Sequence, residues 1–169
     1  LLETQVAVAT ICGRFVMDFV VSSPTAGRIG IECDGRDYHD EHRDEWRDAS
    51  ILGGKHVDSM YRLRGSDITY HLDDVLYILC QLEPGLFSAR GLMNLRVLAS
   101  DEAKVKSFER SNDWHHIRYV SDEDGSLLVE TRRRIVPDGQ RRFWQTAFRF
   151  AESIGGGDLE EVMRRYAEA

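Results

Sequence analysis

The sequence predicts a mixed α/β (α+β) fold. Three observations predict it: β-branched and aromatic runs fill the first 33 residues, short turns rich in Gly and Pro separate them, and from residue 40 onward the apolar spacing changes from alternation to helical periodicity. "TQVAVA" alternates, so a first strand is expected over 5–9. "ICG" turns the chain and "RFVMDFVVSS" gives a second strand over 14–21. "SPTAG" is a turn and "RIGIEC" a third strand over 28–33, which makes an antiparallel meander. In "DEHRDEWRDASILGG" the residues Trp46, Ala49 and Leu52 fall on one helical stripe, and Gly53-Gly54 end it. "HVDSMYRLRG" reads as a strand over 56–63. A helix follows over 70–82, with Leu72, Val75, Leu76 and Leu79 at helical spacing and Pro84-Gly85 as its stop.

The order to this point is βββ-α-β-α. Residues 86–100 are ambiguous. "SDEAKVKSFERS" predicts a short polar helix opened by Ser100. "WHHIRYVS" and "SLLVETRRRIV", joined by "DEDG", predict a β-hairpin. "RRFWQTAFRFAES" predicts a helix with Phe143, Ala147 and Phe150 on one face, and a Gly hinge leads to an Asp-capped last helix. The chain divides into a core over 1–85 and a C-terminal extension over 86–169.

At 169 residues, 42% hydrophobic and 30% charged, the composition is that of a globular chain able to bury a core. No apolar run nears the ~20 residues of a membrane helix, and no signal peptide is legible. The chain begins at Leu1 rather than Met, which reads as a trimmed sequence. Cys12, Cys33 and Cys80 are odd in number and widely spaced, so they read as reduced thiols of a cytoplasmic protein. Net charge is −7, and its distribution is uneven. Residues 1–89 hold 15 acidic and 8 basic side chains, whereas residues 90–169 hold 14 of each.

The chemistry concentrates in "RIGIECDGRDYH". Asp18 interrupts a strand between Met17 and Phe19, where a carboxylate is costly unless paired or metal-bound. Glu32 and Asp34 are two apart, so on extended chain they share a face. If the second and third strands pair, Asp18 lies beside Glu32 and three carboxylates meet with the Cys33 carbonyl. Oxygen clusters of this kind suit Mg²⁺ or Mn²⁺. The competing reading is a solvated strand end with Asp18 paired to an arginine such as Arg62.

These residues, in the order Gln5, Asp18 in "FVMDFVV", Glu32-Cys33-Asp34-Gly35, His39, Arg43-Asp44, Arg47, Arg62 and Asp67, resemble the PD-(D/E)XK nuclease superfamily. Within it they are similar to the branch related to the very-short-patch-repair endonuclease, which includes small nucleases and nuclease domains fused to helicases. The resemblance covers about residues 5–82. It implies a restriction-endonuclease-like core with βββ-α-β-α order lacking the usual first helix, plus a C-terminal β-hairpin and helices. It further implies a metal-dependent DNA endonuclease of repair, restriction or defence type, with DNA as partner and a place in a larger helicase or defence assembly. Asp18 and Glu32 would hold Mg²⁺ (or Mn²⁺) with the Cys33 carbonyl. Asp34 would stand in the place of the superfamily lysine, since no Lys precedes Lys55. His39 would sit near the attacking water, and Gln5, Arg43 and Arg62 would support the site. The alternative is a catalytically inactive nuclease-fold domain serving nucleic-acid binding or protein interaction.

Outside the resemblance, Arg132, Arg133, Arg134, Arg141, Arg142 and Arg149 form the densest basic patch. Arg132 and Arg134 share a strand face, so with Arg141 or Arg142 they are the expected phosphate contacts; a solvated hairpin is the competing reading. His115 and His116 are adjacent on a strand and point to opposite faces, which argues against a shared metal. Cys33 as a nucleophile has no legible histidine partner. Phe143, Trp144, Phe148 and Phe150 read as core rather than as a base-stacking platform.

Overall fold

The computed structural model describes residues 1–35, 40–137 and 143–169. Six strands form one open mixed sheet in the order β1-β2-β3-β4-β6-β5. β1 (Leu2–Thr10), β2 (Gly13–Ser23) and β3 (Gly27–Asp34) make the antiparallel meander. Helix α1 (Glu41–Gly53) then crosses over, so that β4 (Ser59–Arg64) lies parallel to β3. Short helix α2 (Gly65–Tyr70), α3 (Leu72–Leu82), a 3₁₀ turn at Pro84–Leu86, α4 (Ala89–Leu98) and α5 (Asp101–Lys104) follow. The hairpin β5 (His115–Ser121) and β6 (Leu127–Ile135) returns to the sheet with β6 antiparallel to β4, and α6 (Phe143–Ser153) and α7 (Leu159–Ala167) close the chain. The residues read as an extension thus supply the last two strands of the same sheet.

Helices cover both faces. On one, α3, α4 and α5 pack Val75, Ile78, Leu79, Leu95 and Ala103 against Ile29, Tyr61, Leu63 and Val129. On the other, α1 sets Ala49 and Leu52 against Met17, Val20 and Met60, and Trp114 stacks on Trp144 with ring centroids 6.0 Å apart. The reverse side of α1 carries Trp46 into a third cluster with Ala147, Ala151, Leu159 and Val162. All three residues of the predicted stripe are buried, but Ala49 and Leu52 face the sheet while Trp46 faces the C-terminal helices, and burying both sides is what docks α1. The Asp40 carboxylate caps the helix by accepting from the His42 and Arg43 amides at 3.1 and 3.2 Å.

Some element bounds differ from the sequence reading. β1 starts earlier than residue 5, because the Leu1 backbone pairs with Ser22 and draws the end into the ladder. The helix expected over 70–82 is α3, and a further short helix, α2, precedes it; the two are separated at His71, whose φ of −137° leaves helical space. α2 is opened by tertiary contacts: buried Asp67 accepts from the Arg64 Nε at 2.8 Å and from the Glu130 amide at 2.8 Å. The ambiguous stretch 86–100 contains α4, capped by Ser88. Gly155, Gly156 and Gly157 all have positive φ, and the Gly156 Cα lies against the Ile11 carbonyl where a Cβ would collide. Among the described residues, no helix is long and apolar enough to cross a membrane.

Candidate functional site

The alternation of β2 slips at Asp18. Phe15 and Met17 turn toward α1, and the next inward residue is Val20 rather than Phe19. Gln5, opposite, has φ +50° and is skipped in the β1–β2 register, as is Asp18. Such irregularities re-aim a side chain, and here the side chain is the carboxylate singled out by the sequence. Asp18 accepts from the Gln5 Nε2 at 3.2 Å through Oδ1, and from the Cys33 backbone amide at 2.9 Å through Oδ2. It reaches across to β3 rather than to Arg62, as the competing reading had it.

Glu32 and Asp34 share the α1 face of β3, as their spacing requires. Glu32 is buried, at 5% exposure, and its Oε1 accepts from the Arg47 Nη2 at 2.7 Å. Arg47 also donates to the Val16 carbonyl at 2.7 Å and lies over the Phe15 ring. Glu32 Oε2 accepts no hydrogen bond among the described residues. Burial pushes the Glu32 carboxyl up to about 7; Arg47 and Arg62 oppose this, while the charges of Asp18 and Asp48 add to it. Asp34 accepts from the Arg62 Nη1 at 3.0 Å. Among the described residues no group of three His, Cys, Asp or Glu side chains that could hold a metal is assembled.

The raised Glu32 carboxyl has a consequence for stability. Its folded value of about 7 lies above the ordinary 4.5, so between those limits the folded chain holds a proton that the unfolded chain has lost. The contribution is fully present below about 4.5 and is lost as pH rises through about 7, a fall on the order of 3 kcal/mol. Glu32→Gln is expected to remove this slope. Urea unfolding of both proteins at pH 5 and pH 8, in chelator, should show the difference between them changing by that amount; a constant difference contradicts it.

Arg62 is the hub that the sequence placed only as a supporting residue. Buried on β4 beside Glu32, it donates to both oxygens of Asp48 at 3.0 and 2.9 Å, to Asp34, and lies 3.3 Å from Asp44. Arg134 joins the same network, with Nη1 donating to Asp48 Oδ2 at 2.6 Å. Burial opposes the charge on Asp48, but the guanidiniums of Arg62 and Arg134 hold its carboxyl below the usual range. Asp48 is missed by sequence reasoning; it lies on the side of α1 that faces Arg62 and Arg134 of the sheet.

Beside this network opens a cleft of about 370 Å³ lined by Asp34, Glu41, Asp44, Arg62, Arg64, Ser66, Glu130, Arg132 and Arg134. Of the expected phosphate contacts, Arg134 is 3% exposed and committed to Asp48, while Arg132 is partly exposed and bonded to Glu130 and Glu41 at 2.5 and 2.8 Å. Arg133 points to the opposite face, where it lies over Tyr61 and near Glu83. Arg43 faces Glu160 of α7 at 3.7 Å, away from the cleft. His39, Arg141 and Arg142 lie outside the described residues. Arg64, which the sequence reading did not single out as a phosphate contact, enters the cleft because the parallel β3–β4 pair ends there.

The other candidates resolve simply. Burial and the charges of Asp18, Glu32 and Asp34 push the Cys33 thiol up to about 11, so it is no thiolate nucleophile at neutral pH. His115 pairs across the hairpin with Arg134 and His116 with Arg133, on opposite faces. Trp144 is core. Compared with known proteins, the chain matches no family model, no curated protein and no solved structure.

Proposed function

We propose that this chain is a restriction-endonuclease-like nuclease domain that hydrolyses phosphodiester bonds of DNA with Mg²⁺ or Mn²⁺ at Asp18 and Glu32. The observation that carries the reading is the pair itself. Asp18, re-aimed by the slip in β2, touches the backbone of β3 beside a buried Glu32 whose carboxyl is raised to about 7. Carboxylates so placed call for a proton or a cation between them. The order β1-β2-β3-α1-β4 with β3 and β4 parallel supports the same reading.

The residues fit a divalent ion: Asp18, the free Oε2 of Glu32 and the Cys33 carbonyl are hard oxygen donors. Such an ion polarises a phosphate and lowers the pKa of bound water. The chain's own residues do the rest. Gln5 and the Cys33 amide fix both oxygens of Asp18, Arg47 holds Glu32 in place, and Arg62 pairs with Asp34. His39 is assigned to the attacking water. The second reading, an inactive nuclease-fold domain in nucleic-acid binding, has one observation in its favour: Arg47 already gives Glu32 a positive partner.

Supercoiled, linear and single-stranded DNA incubated with the chain and Mg²⁺ or Mn²⁺ separate the two. Metal-dependent cleavage supports the enzyme. Binding with no cleavage in either metal overturns it and leaves the second reading.

A further inference from the structure

We infer that the substrate strand is unpaired at the cleft, with one base stacked on Tyr119 and its phosphate held by Arg64 and Arg132. This rests on the nuclease reading and adds to it a substrate class.

The first observation is charge compensation. Four arginines and four carboxylates, Asp34, Glu41, Asp44 and Glu130, line the cleft, and every one of the arginines is ion-paired: Arg62 to Asp34, Asp44 and Asp48, Arg64 to Asp67, Arg132 to Glu41 and Glu130, and Arg134 to Asp48. Duplex binding draws its affinity from many phosphate contacts to uncompensated cations, and this cleft offers few. Two guanidiniums keep donors to spare. Arg132 Nη2 makes no hydrogen bond among the described residues, and Arg64 uses Nε and Nη2 on Asp67 and the Leu128 carbonyl while its Nη1 makes none. Both side chains are about a third exposed, at 33% and 35%.

The second observation is Tyr119. It stands opposite Glu130 on edge strand β5, and Ile117 stands opposite Arg132, so both share the cleft's face of the sheet. Tyr119 is 47% exposed, and Arg132, two residues from Glu130, is its diagonal neighbour on that face. An exposed ring beside a partly free guanidinium is the arrangement that holds a single-stranded nucleotide: the phosphate takes the arginine and the base takes the ring. The third observation is size. At about 370 Å³ the cleft has room for a single nucleotide.

The test uses the full chain in chelator, so that nothing is cut, with a fluorescein-labelled 12-nucleotide oligothymidylate and a labelled 12-base-pair duplex as probes. Anisotropy is expected to show the single strand bound at least about tenfold tighter than the duplex. Tyr119→Ala should weaken single-strand binding by about 5- to 100-fold, the range of one lost stack, and leave its salt slope unchanged. Tyr119→Trp should restore it. Arg64→Ala and Arg132→Ala should each flatten the salt slope by about 0.7. Unchanged single-strand affinity in Tyr119→Ala, or a duplex bound as tightly as the single strand, overturns the inference. The nuclease reading is judged by cleavage alone, so a chain that cuts DNA without using Tyr119 refutes only the stacking site.

Discussion

Asp48→Ala is expected to lower the melting temperature by roughly 6–20 °C, the largest stability change of any single substitution near the site. Asp48 is 0% exposed and is shared by Arg62 and Arg134, themselves 5% and 3% exposed. Removing it leaves two buried guanidiniums facing each other without their anion. Breaking a buried pair in this way costs about 3–5 kcal/mol, and in a chain of this size each kcal/mol moves the midpoint by about 2–4 °C. Asp34 and Asp44 still face Arg62, which keeps the loss from being larger, but neither is bonded to Arg134. The exposed pair of Arg164 with Glu161 and Glu168 is the control: Arg164→Ala should leave the midpoint nearly unchanged, because water and salt screen it. Thermal melts by circular dichroism check both. Equal shifts in the two variants would show that the Asp48 network does not hold α1, β4 and β6 together.

The second large effect is on cleavage. Asp18→Asn keeps a carbonyl oxygen for the Cys33 amide and therefore the β2–β3 contact, but removes the charge. Its melting temperature should stay within a few degrees of wild type, while the cleavage rate falls by at least about 10²-fold, the loss expected when one preorganised electrostatic group is removed. The same substitution takes away a like charge that raises the Glu32 carboxyl, so the pH midpoint of the Glu32-dependent stability should move downward. Gel-based cleavage assays alongside the urea series at varied pH measure both. A variant that cuts as fast as wild type removes Asp18 from the chemistry.

How much of this was legible follows from what sets each feature. The meander, α1 and the hairpin were readable because their signals are local: alternation, a buried stripe and turn residues. The antiparallel return of β3 along β2 was readable because one short turn joins them. The union of the hairpin with the first four strands was not, since β4 and β6 meet across 62 residues of intervening chain and no local pattern names a strand's neighbour. The commitment of Arg134 to Asp48 was not legible for the same reason. Arg132 and Arg134 look equivalent along the strand, yet register puts Arg134 over Asp48 and Arg132 at the cleft's edge. Asp34 was grouped with the other carboxylates because spacing gives its face and not its partner; Arg62, on the neighbouring strand, decides that.

The central claim is that Asp18 and Glu32 jointly hold one divalent cation. Isothermal titration of Mn²⁺ into wild type, Asp18→Asn and Glu32→Gln at pH 6 and pH 8 tests it without reference to cleavage. One ion should bind wild type, more tightly at pH 8 than at pH 6 because Glu32 loses its proton near 7. Each variant should lose at least about tenfold in affinity at pH 8. No binding by wild type at pH 8, or the same affinity in all three proteins, would contradict the claim.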